Sequence, residues 1–214
     1  MSNLIEFILD RKIEIFHRTI EHIQMIGISV FLAVFVGIPL GIILTRIKKL
    51  ILPVVGIVNI IQTIPSLALL GLLIPLMGIG IKPAILALFL YSLLAIIKNT
   101  IAGINQIDSS LIEAGLGVGM TDRQILFKVE LPLAVPIILS GIRIATVTCI
   151  GIATLCAAIG AGGLGQFIFR GISMLNNNMI LCGALPAALL ALILDFLLYK
   201  FEKYLTPEIN YIRN

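Results

Sequence analysis

The chain has 214 residues, of which 59% are hydrophobic and 12% are charged, with a formal net charge of +4. A soluble domain carries about 25% charged residues, so this chain has too little polar surface for a fully hydrated fold. Its basic residues lie between apolar segments and form no continuous stripe, which excludes a nucleic-acid interface and indicates a membrane protein. Cys149, Cys156 and Cys182 lie inside apolar runs, so we expect small buried side chains and neither disulfides nor a metal site.

Residues 1–24 predict an amphipathic helix that does not span the membrane. Apolar side chains recur there at helical spacing, while acidic and basic side chains occupy the opposite face. We expect this helix to lie at the membrane interface or to pack against a neighbouring span. His17 and His22 belong to it and are expected at the solvated surface.

Five later segments are long and apolar enough to cross the bilayer, since a helical span needs about 20 apolar residues. They are residues 25–45, 51–77, 83–103, 132–158 and 179–200. Pro65 lies near the middle of the second segment, where a proline frees a backbone carbonyl and kinks the helix. The predicted fold is an all-α integral membrane protein with a transmembrane domain over residues 25–204 and a cytoplasmic tail over residues 205–214.

The basic residues predict the orientation of the spans. With the N-terminus outside, nine Lys and Arg residues fall on the cytoplasmic side and five on the outer side. This bias favours five spans with the C-terminus inside, and it places residues 103–131, the cytoplasmic loop, between the third and fourth spans. Arg143 is left inside the fourth span, where we expect it to pair with backbone carbonyls or with a neighbouring subunit.

The cytoplasmic loop predicts two short amphipathic helices. Ser110 with Glu113, and Thr121 with Gln124, have the spacing of a capping box. Gly119 lies between the two pairs, where a residue with positive φ can end the first helix. Two capped helices in this loop indicate either a docking surface for a soluble partner or an ordered loop without one.

The same loop carries a longer pattern of spaced residues. The pattern consists of Glu113-Ala114-Gly115, then Gly119, then Val129-Glu130-Leu131-Pro132. It resembles the EAA signature of ABC-type (ATP-driven) importer permeases, which is Glu-Ala-Ala, three residues, Gly, nine residues and Ile-x-Leu-Pro. The departures at Gly115 and Val129 keep a small or a β-branched apolar group.

The resemblance implies coupling helices that dock in a groove of a separate ATPase subunit. Glu113 and Gly119 take the contacting roles, and Ala114 and Gly115 keep the contact close. Leu131 and Pro132 complete the coupling motif. Glu113 is also suited to cap a helix N-terminus, and the two roles are compatible.

A glycine-rich run follows the fourth span. Gly160, Gly162, Gly163 and Gly165 satisfy the GxGxxG pattern, but a dinucleotide site needs a preceding strand, and this run ends a span. The sequence contains no GxxxxGK[ST] either, so nucleotide binding is expected on a partner. The run is either a flexible outer loop or a tight turn that helps to close a pathway on the outer side.

Most of the chain resembles one branch of these importers, the permeases for glycine betaine, carnitine and choline. The similar stretches are residues 62–80, 99–104, 140–147 and 157–172. The resemblance implies import of osmoprotectants, with methionine-type or other small-solute ABC permeases as the alternative. The chain has no Trp and only 4 Tyr, so an aromatic cage for quaternary ammonium is expected on a partner binding protein.

A rival of another class is a secondary transporter that needs no ATPase. Such a transporter should carry buried carboxylates for ion coupling. The acid inside a predicted span is Asp195, close to the cytoplasmic end of the last one.

A substrate pathway is expected along polar residues inside the spans, because they are costly in lipid. The main candidates are Asn59, Gln62, Thr63, Ser66 and Thr146, followed by Ser92, Asn99 and Thr148. Around Pro65, carbonyls of the broken helix are available to a cation. Each side chain is equally able to bond its own backbone or to join two helices.

Five spans are too few to enclose a path, so we expect a second permease subunit, identical or paralogous. The resemblance implies two ATPase subunits that carry ATP and Mg²⁺ and an extracellular substrate-binding protein. This chain is expected to hold no cofactor and to catalyse no reaction. The resemblance also implies a multi-pass protein of the bacterial cytoplasmic membrane, in which ATP-driven motion of residues 109–128 switches the opening between the permeases.

Overall fold

The computed structural model describes residues 2–205, and every regular element in that range is helical. The predicted all-α class is confirmed, and residues 206–214 of the predicted tail lie outside the described residues. The α-helices are α1 (Ser2–Asp10), α2 (Lys12–Arg46), α3 (Ile51–Thr63), α4 (Ser66–Met77), α5 (Ile81–Asn105), α6 (Ser109–Gly117), α7 (Asp122–Ile125), α8 (Leu131–Leu155), α9 (Gly165–Ser173) and α10 (Asn177–Leu205). A π-helical turn, Leu126–Glu130, joins α7 to α8, and 3₁₀ turns occur at Lys48–Leu50 and Cys156–Ile159.

Four helical stretches of the described chain are long and apolar enough to cross a membrane. They are α2, α5, the continuous stretch Asp122–Ile159 that contains α8, and α10. Lys48–Thr63 and Ser66–Met77 together form a fifth candidate. The chain is therefore built as a multi-pass membrane protein with four or five spans.

The fifth candidate is broken, and its two parts meet at an angle of 99°. The sequence predicts a kink at Pro65, but the helix stops at Thr63 and restarts at Ser66. Ile64 and Pro65 are extended, with ψ of 126° and 135°. Extended backbone before a proline is expected, because the proline ring clashes with a helical residue in front of it.

The N-terminal segment differs from the predicted single amphipathic helix. It breaks at Arg11, and α2 then runs from Lys12 to Arg46 through the predicted boundary at residue 24. The change from a charged to an apolar surface therefore does not interrupt the backbone. α1 and the start of α2 pack through Phe7, Ile8 and Ile15 against a buried cluster that includes Phe167.

The centre of the fold is α5, which packs against both α2 and α8 at small residues. A Cβ at Gly41 of α2 would lie 2.7 Å from the Thr100 Cβ, and one at Gly141 of α8 would lie 2.5 Å from the Asn99 Cβ. Glycine at these positions lets the helix backbones approach closely, as is typical of membrane helices. The three cysteines are free and buried, which confirms that they fill space in the interior.

Candidate functional site

The first helix of the cytoplasmic loop, α6, is capped by Asp108. The Asp108 carboxylate accepts a hydrogen bond from the Ser110 N–H at 2.9 Å, and this bond holds the pKa of the carboxyl below its usual value. The predicted box with Ser110 as the cap is wrong, because the helix begins at Ser109 and Glu113 is its fifth residue. Glu113 is exposed and forms no hydrogen bond or ion pair with the residues that the structure describes.

The end of α6 and the start of α7 follow the predictions. Gly119 has φ of +84°, and its N–H donates to the Leu116 carbonyl at 2.9 Å while the Met120 N–H donates to Gly115 at 3.0 Å. These two bonds form a Schellman motif, in which a left-handed residue ends the helix. Thr121 and Gln124 form the predicted capping box at the start of α7.

The motif residues of the loop divide into an exposed and a packed group. Glu113, Ala114, Gly119 and Pro132 are exposed, whereas Leu131 is partly buried. Gly115 is buried, and a Cβ there would lie 3.4 Å from Ile125 Cγ1. The third motif position therefore faces α7, and its small residue sets the spacing between the two loop helices. The proposed roles of these residues toward an ATPase stay predictions.

Apolar side chains project from the same loop. Val118 is 79% exposed, Phe127 is 66% exposed and Leu116 is 52% exposed. Phe127 also lines a surface cavity of about 400 Å³ together with Leu131 and Pro132. A loop that leaves apolar groups uncovered while its helices are fully capped has the features of a docking surface.

An ion pair that the sequence does not predict joins this region to α2. Glu130 is 2% exposed, and both of its carboxylate oxygens accept hydrogen bonds from Arg46, with Nη1–Oε1 at 3.2 Å. Arg46 ends α2, and Glu130 is the last residue before α8. The two residues are 84 positions apart, so no sequence spacing indicates the pair.

Of the predicted pathway residues in the spans, Gln62, Asn99 and Thr148 lie together. They line a cavity of about 240 Å³, into which Tyr91 and Lys98 also face. The Gln62 amide donates to the Tyr91 carbonyl at 2.7 Å, and the Tyr91 hydroxyl donates to the Ile64 carbonyl at the broken helix. That carbonyl is therefore satisfied by the protein.

The other predicted pathway residues do not line this cavity. Thr63 is exposed and donates to the Ile60 carbonyl, Thr146 is buried and donates to Ile142, and Ser92 is buried and donates to Leu88. Asn59 and Ser66 are partly buried on α3 and α4. For the threonines and the serine, the geometry matches the alternative in which a hydroxyl bonds its own helix.

Arg143 pairs with Asp195, which corrects the expected pairing with carbonyls or a neighbouring subunit. Arg143 Nε donates to Oδ1 at 2.5 Å, and Nη2 donates to Oδ2 at 2.8 Å. The two side chains meet because α8 packs along α10. They line a further cavity of about 370 Å³ with Ser140 and Thr148.

The glycine-rich run is a tight turn. Gly160, Gly162 and Gly163 have φ of +77°, +89° and +74°, a conformation that side chains rarely adopt. A Cβ on Gly165 would overlap the Thr154 carbonyl. The turn is held to the loop between α4 and α5, because the Gly80 N–H donates to the Ile159 carbonyl at 2.9 Å.

The N-terminal part of α2 holds the same turn. The Glu21 carboxylate accepts from the Gly163 N–H at 2.9 Å and from Arg18 at 2.8 Å. His22 is fully buried next to Gly163, and its Nε2 donates to the Ile150 carbonyl at 3.2 Å. The expected surface position is therefore wrong for His22, because its face of α2 is covered by the turn and α8. Whether the turn closes a pathway stays a prediction.

Comparisons with known proteins show which family this chain belongs to. A sequence profile described as "Binding-protein-dependent transport system inner membrane component" matches residues 37–211. The chain belongs to this family. The predicted membership among ABC-type permeases is confirmed, and this permease is a multi-pass protein of a family of inner-membrane components.

Relatives of this permease cover almost its whole length. It is 47% identical to the choline transport system permease protein OpuBB of Bacillus subtilis, over 97% of this chain and 95% of that protein. It is 45% identical to the glycine betaine/carnitine/choline permease protein OpuCB of the same organism, over 97% and 96%. A solved inward-facing MetNI methionine ABC transporter chain aligns at a TM-score of 0.81 with 28% identity, over 90% of this chain and 96% of that one.

Proposed function

We propose that this permease imports osmoprotectants of the quaternary ammonium type, such as glycine betaine, carnitine and choline, driven by ATP hydrolysis on a separate subunit. The observation that carries the coupling part is the cytoplasmic loop, whose capped helices leave apolar side chains uncovered. The substrate class is supported by identities of 47% and 45% to permeases named for these solutes, against 28% to the methionine transporter chain.

A continuous helix supports transmission from the loop to the membrane interior. Asp122–Ile159 forms one 38-residue helical stretch, which at 1.5 Å per residue is about 57 Å long. It begins in the loop, passes the cavities at Arg143 and Thr148, and ends at the glycine turn. A displacement of α6 and α7 by an ATPase would move the inner and outer parts of this helix together.

The assembly proposed around this chain has a second permease, identical or paralogous, two ATPase subunits and an extracellular binding protein. ATP and Mg²⁺ belong to the ATPase subunits, and this chain contributes neither a nucleotide site nor a catalytic residue. The polar cavities at Gln62 and at Arg143 open on the surface of the single chain, which supports a path completed by the second permease.

The coupling role is tested by placing a charge on the exposed tip of the loop. Val118→Glu is expected to weaken binding of the ATPase subunit at least about tenfold, because an apolar contact becomes a buried charge. Co-purification and ATP-dependent uptake of labelled glycine betaine into proteoliposomes measure the effect. Met174→Glu is the matched control, because Met174 is also exposed (67%) but lies between α9 and α10.

Two outcomes would overturn the proposal. One is Val118→Glu protein that retains full ATPase binding and uptake. The other is wild-type uptake that continues without ATP when an ion gradient is supplied.

A further inference from the structure

The cavity at Arg143 and Asp195 is large enough for a small solute. Its volume is about 370 Å³, within the range typical of small-molecule sites. Ser140 and Thr148 add hydroxyl groups to its wall. Arg143 lies midway along α8, so the cavity lies beside the middle of a membrane-spanning helix.

The ion pair in this cavity uses only part of the hydrogen-bonding capacity of Arg143. A guanidinium has five N–H donors, and Asp195 takes one from Nε and one from Nη2. Nη1 of Arg143 takes no part in the pair with Asp195. The Arg143 side chain is 32% exposed and that of Asp195 is 37% exposed. A second carboxylate can therefore bind Arg143 without displacing Asp195.

The guanidinium of Arg143 also stacks on an aromatic ring. Its central carbon lies 5.2 Å from the centroid of the Tyr199 ring, one helical turn after Asp195 on α10. Stacking on an aromatic ring and a bidentate carboxylate together restrict the guanidinium to one orientation. Nη1, which Asp195 does not use, consequently has a defined position.

The charges around the cavity favour a zwitterion over a simple cation. The neighbouring cavity shares Ile144 and Thr148 with this one and contains Lys98. Asp195 and Glu202, which also acts electrostatically on Arg143, are acidic, so two basic and two acidic groups surround the adjoining cavities. A zwitterion, which has no net charge, keeps this balance, whereas a lone cation adds an uncompensated positive charge, and fixed charges interact strongly where water is scarce.

We propose that Arg143 and Asp195 form a transit site for a small zwitterion that carries a carboxylate and a quaternary ammonium group. The solute carboxylate binds Nη1 of Arg143, and its ammonium group lies beside the Asp195 carboxylate. Tyr199 is a positioning residue that orients the guanidinium. This site rests on the proposed function and names the substrate chemistry that the membrane path itself selects.

The test compares a zwitterion with a cation in the complete importer. Arg143→Gln is expected to reduce ATP-dependent uptake of glycine betaine at least about tenfold, because a hydrogen bond to a charged group is lost. Uptake of choline, which has no carboxylate, should fall less than about threefold. The matched control is Arg170→Gln, which breaks the Arg170–Glu14 pair at 3.1 Å and should leave the ratio of the two uptakes unchanged.

A variant with the two charges exchanged distinguishes a binding role of this ion pair from a purely structural one. Arg143→Asp combined with Asp195→Arg restores an ion pair between α8 and α10 but exchanges the two charges. Thermal stability of this double variant should return close to that of the wild type, while glycine betaine uptake stays low. Recovery of glycine betaine uptake, or an equal loss of both solutes in Arg143→Gln, would overturn the transit site.

A binding readout keeps the site distinguishable from the proposed function. Glycine betaine should raise the Tm of the purified permease–ATPase complex without binding protein, and this shift should disappear in Arg143→Gln. If wild-type uptake is ATP-dependent but glycine betaine causes no Tm shift, the site is wrong and the function stands. If the shift depends on Arg143 while uptake needs no ATP, the site stands and the function is wrong.

Discussion

Replacing Arg46 by methionine removes the partner of a carboxylate that water barely reaches. Glu130 is 2% exposed, whereas the Arg46 side chain is 47% exposed. Breaking a buried ion pair costs about 3–5 kcal/mol, chiefly because the remaining charge is buried without a partner. We take the lower end, about 3 kcal/mol, for Arg46→Met, because half of the arginine already lies in solvent.

The reverse deletion should cost less. Glu130→Gln keeps the shape of the side chain and leaves Arg46, which water can solvate, so a loss of about 1 kcal/mol is expected. For a protein of this size, 1 kcal/mol corresponds to about 2–4 °C in Tm. Arg46→Met should therefore lower Tm by about 6–12 °C and Glu130→Gln by about 2–4 °C.

The measurement is thermal unfolding of the purified permease in detergent, followed by the loss of the monodisperse peak. The double variant Arg46→Met with Glu130→Gln should be more stable than Arg46→Met alone, because no charge remains buried. Equal losses in the two single variants, or a larger loss in Glu130→Gln, would refute the argument from unequal burial.

Two further predictions concern glycines. Gly115→Ala should raise stability by roughly 0.5–1 kcal/mol, because alanine is favoured over glycine inside a helix. The added Cβ would lie at an ordinary contact distance, 3.4 Å, from Ile125, so we expect uptake to be unchanged. A loss of uptake would contradict this prediction. Gly163→Ala should cost about 2–5 kcal/mol, since φ is +74° and the Cβ would lie 2.8 Å from His22 Nδ1. Gly160→Ala, with φ of +77° but open space around it, should cost only about 1–2 kcal/mol, and similar Tm values for the two variants would argue against the close packing.

The spans and the loop were predictable because their signals are local. Hydropathy over about 20 residues identifies the segments that become α2, α5, α8 and α10. The Thr121–Gln124 capping box and the positive φ of Gly119 depend on residues within one turn. The cap at Asp108 was missed because Asp108, Ser109 and Ser110 are consecutive, and each of these residue types is suited to cap a helix.

The contacts that organise the candidate site depend on tertiary packing. Arg143 meets Asp195 across 52 positions and Arg46 meets Glu130 across 84, and neither distance follows from a helical period. The sequence predicts His22 at the surface of the N-terminal helix, yet its side chain is buried against the glycine turn. The 99° bend at Pro65 likewise exceeds what a proline alone predicts, and Tyr91 stabilises it by bonding the Ile64 carbonyl.

One consequence concerns α2 as a mechanical element. Near its start, Glu21 holds the glycine turn through the Gly163 N–H, and at its end Arg46 holds Glu130 next to the cytoplasmic loop. The intervening helix is about 37 Å long, which exceeds the hydrocarbon thickness of about 30 Å. The same helix is thus bonded near both of its ends, to the glycine turn and to the residue that precedes α8. We therefore expect these two regions to rearrange together, and the loss of either contact to uncouple them.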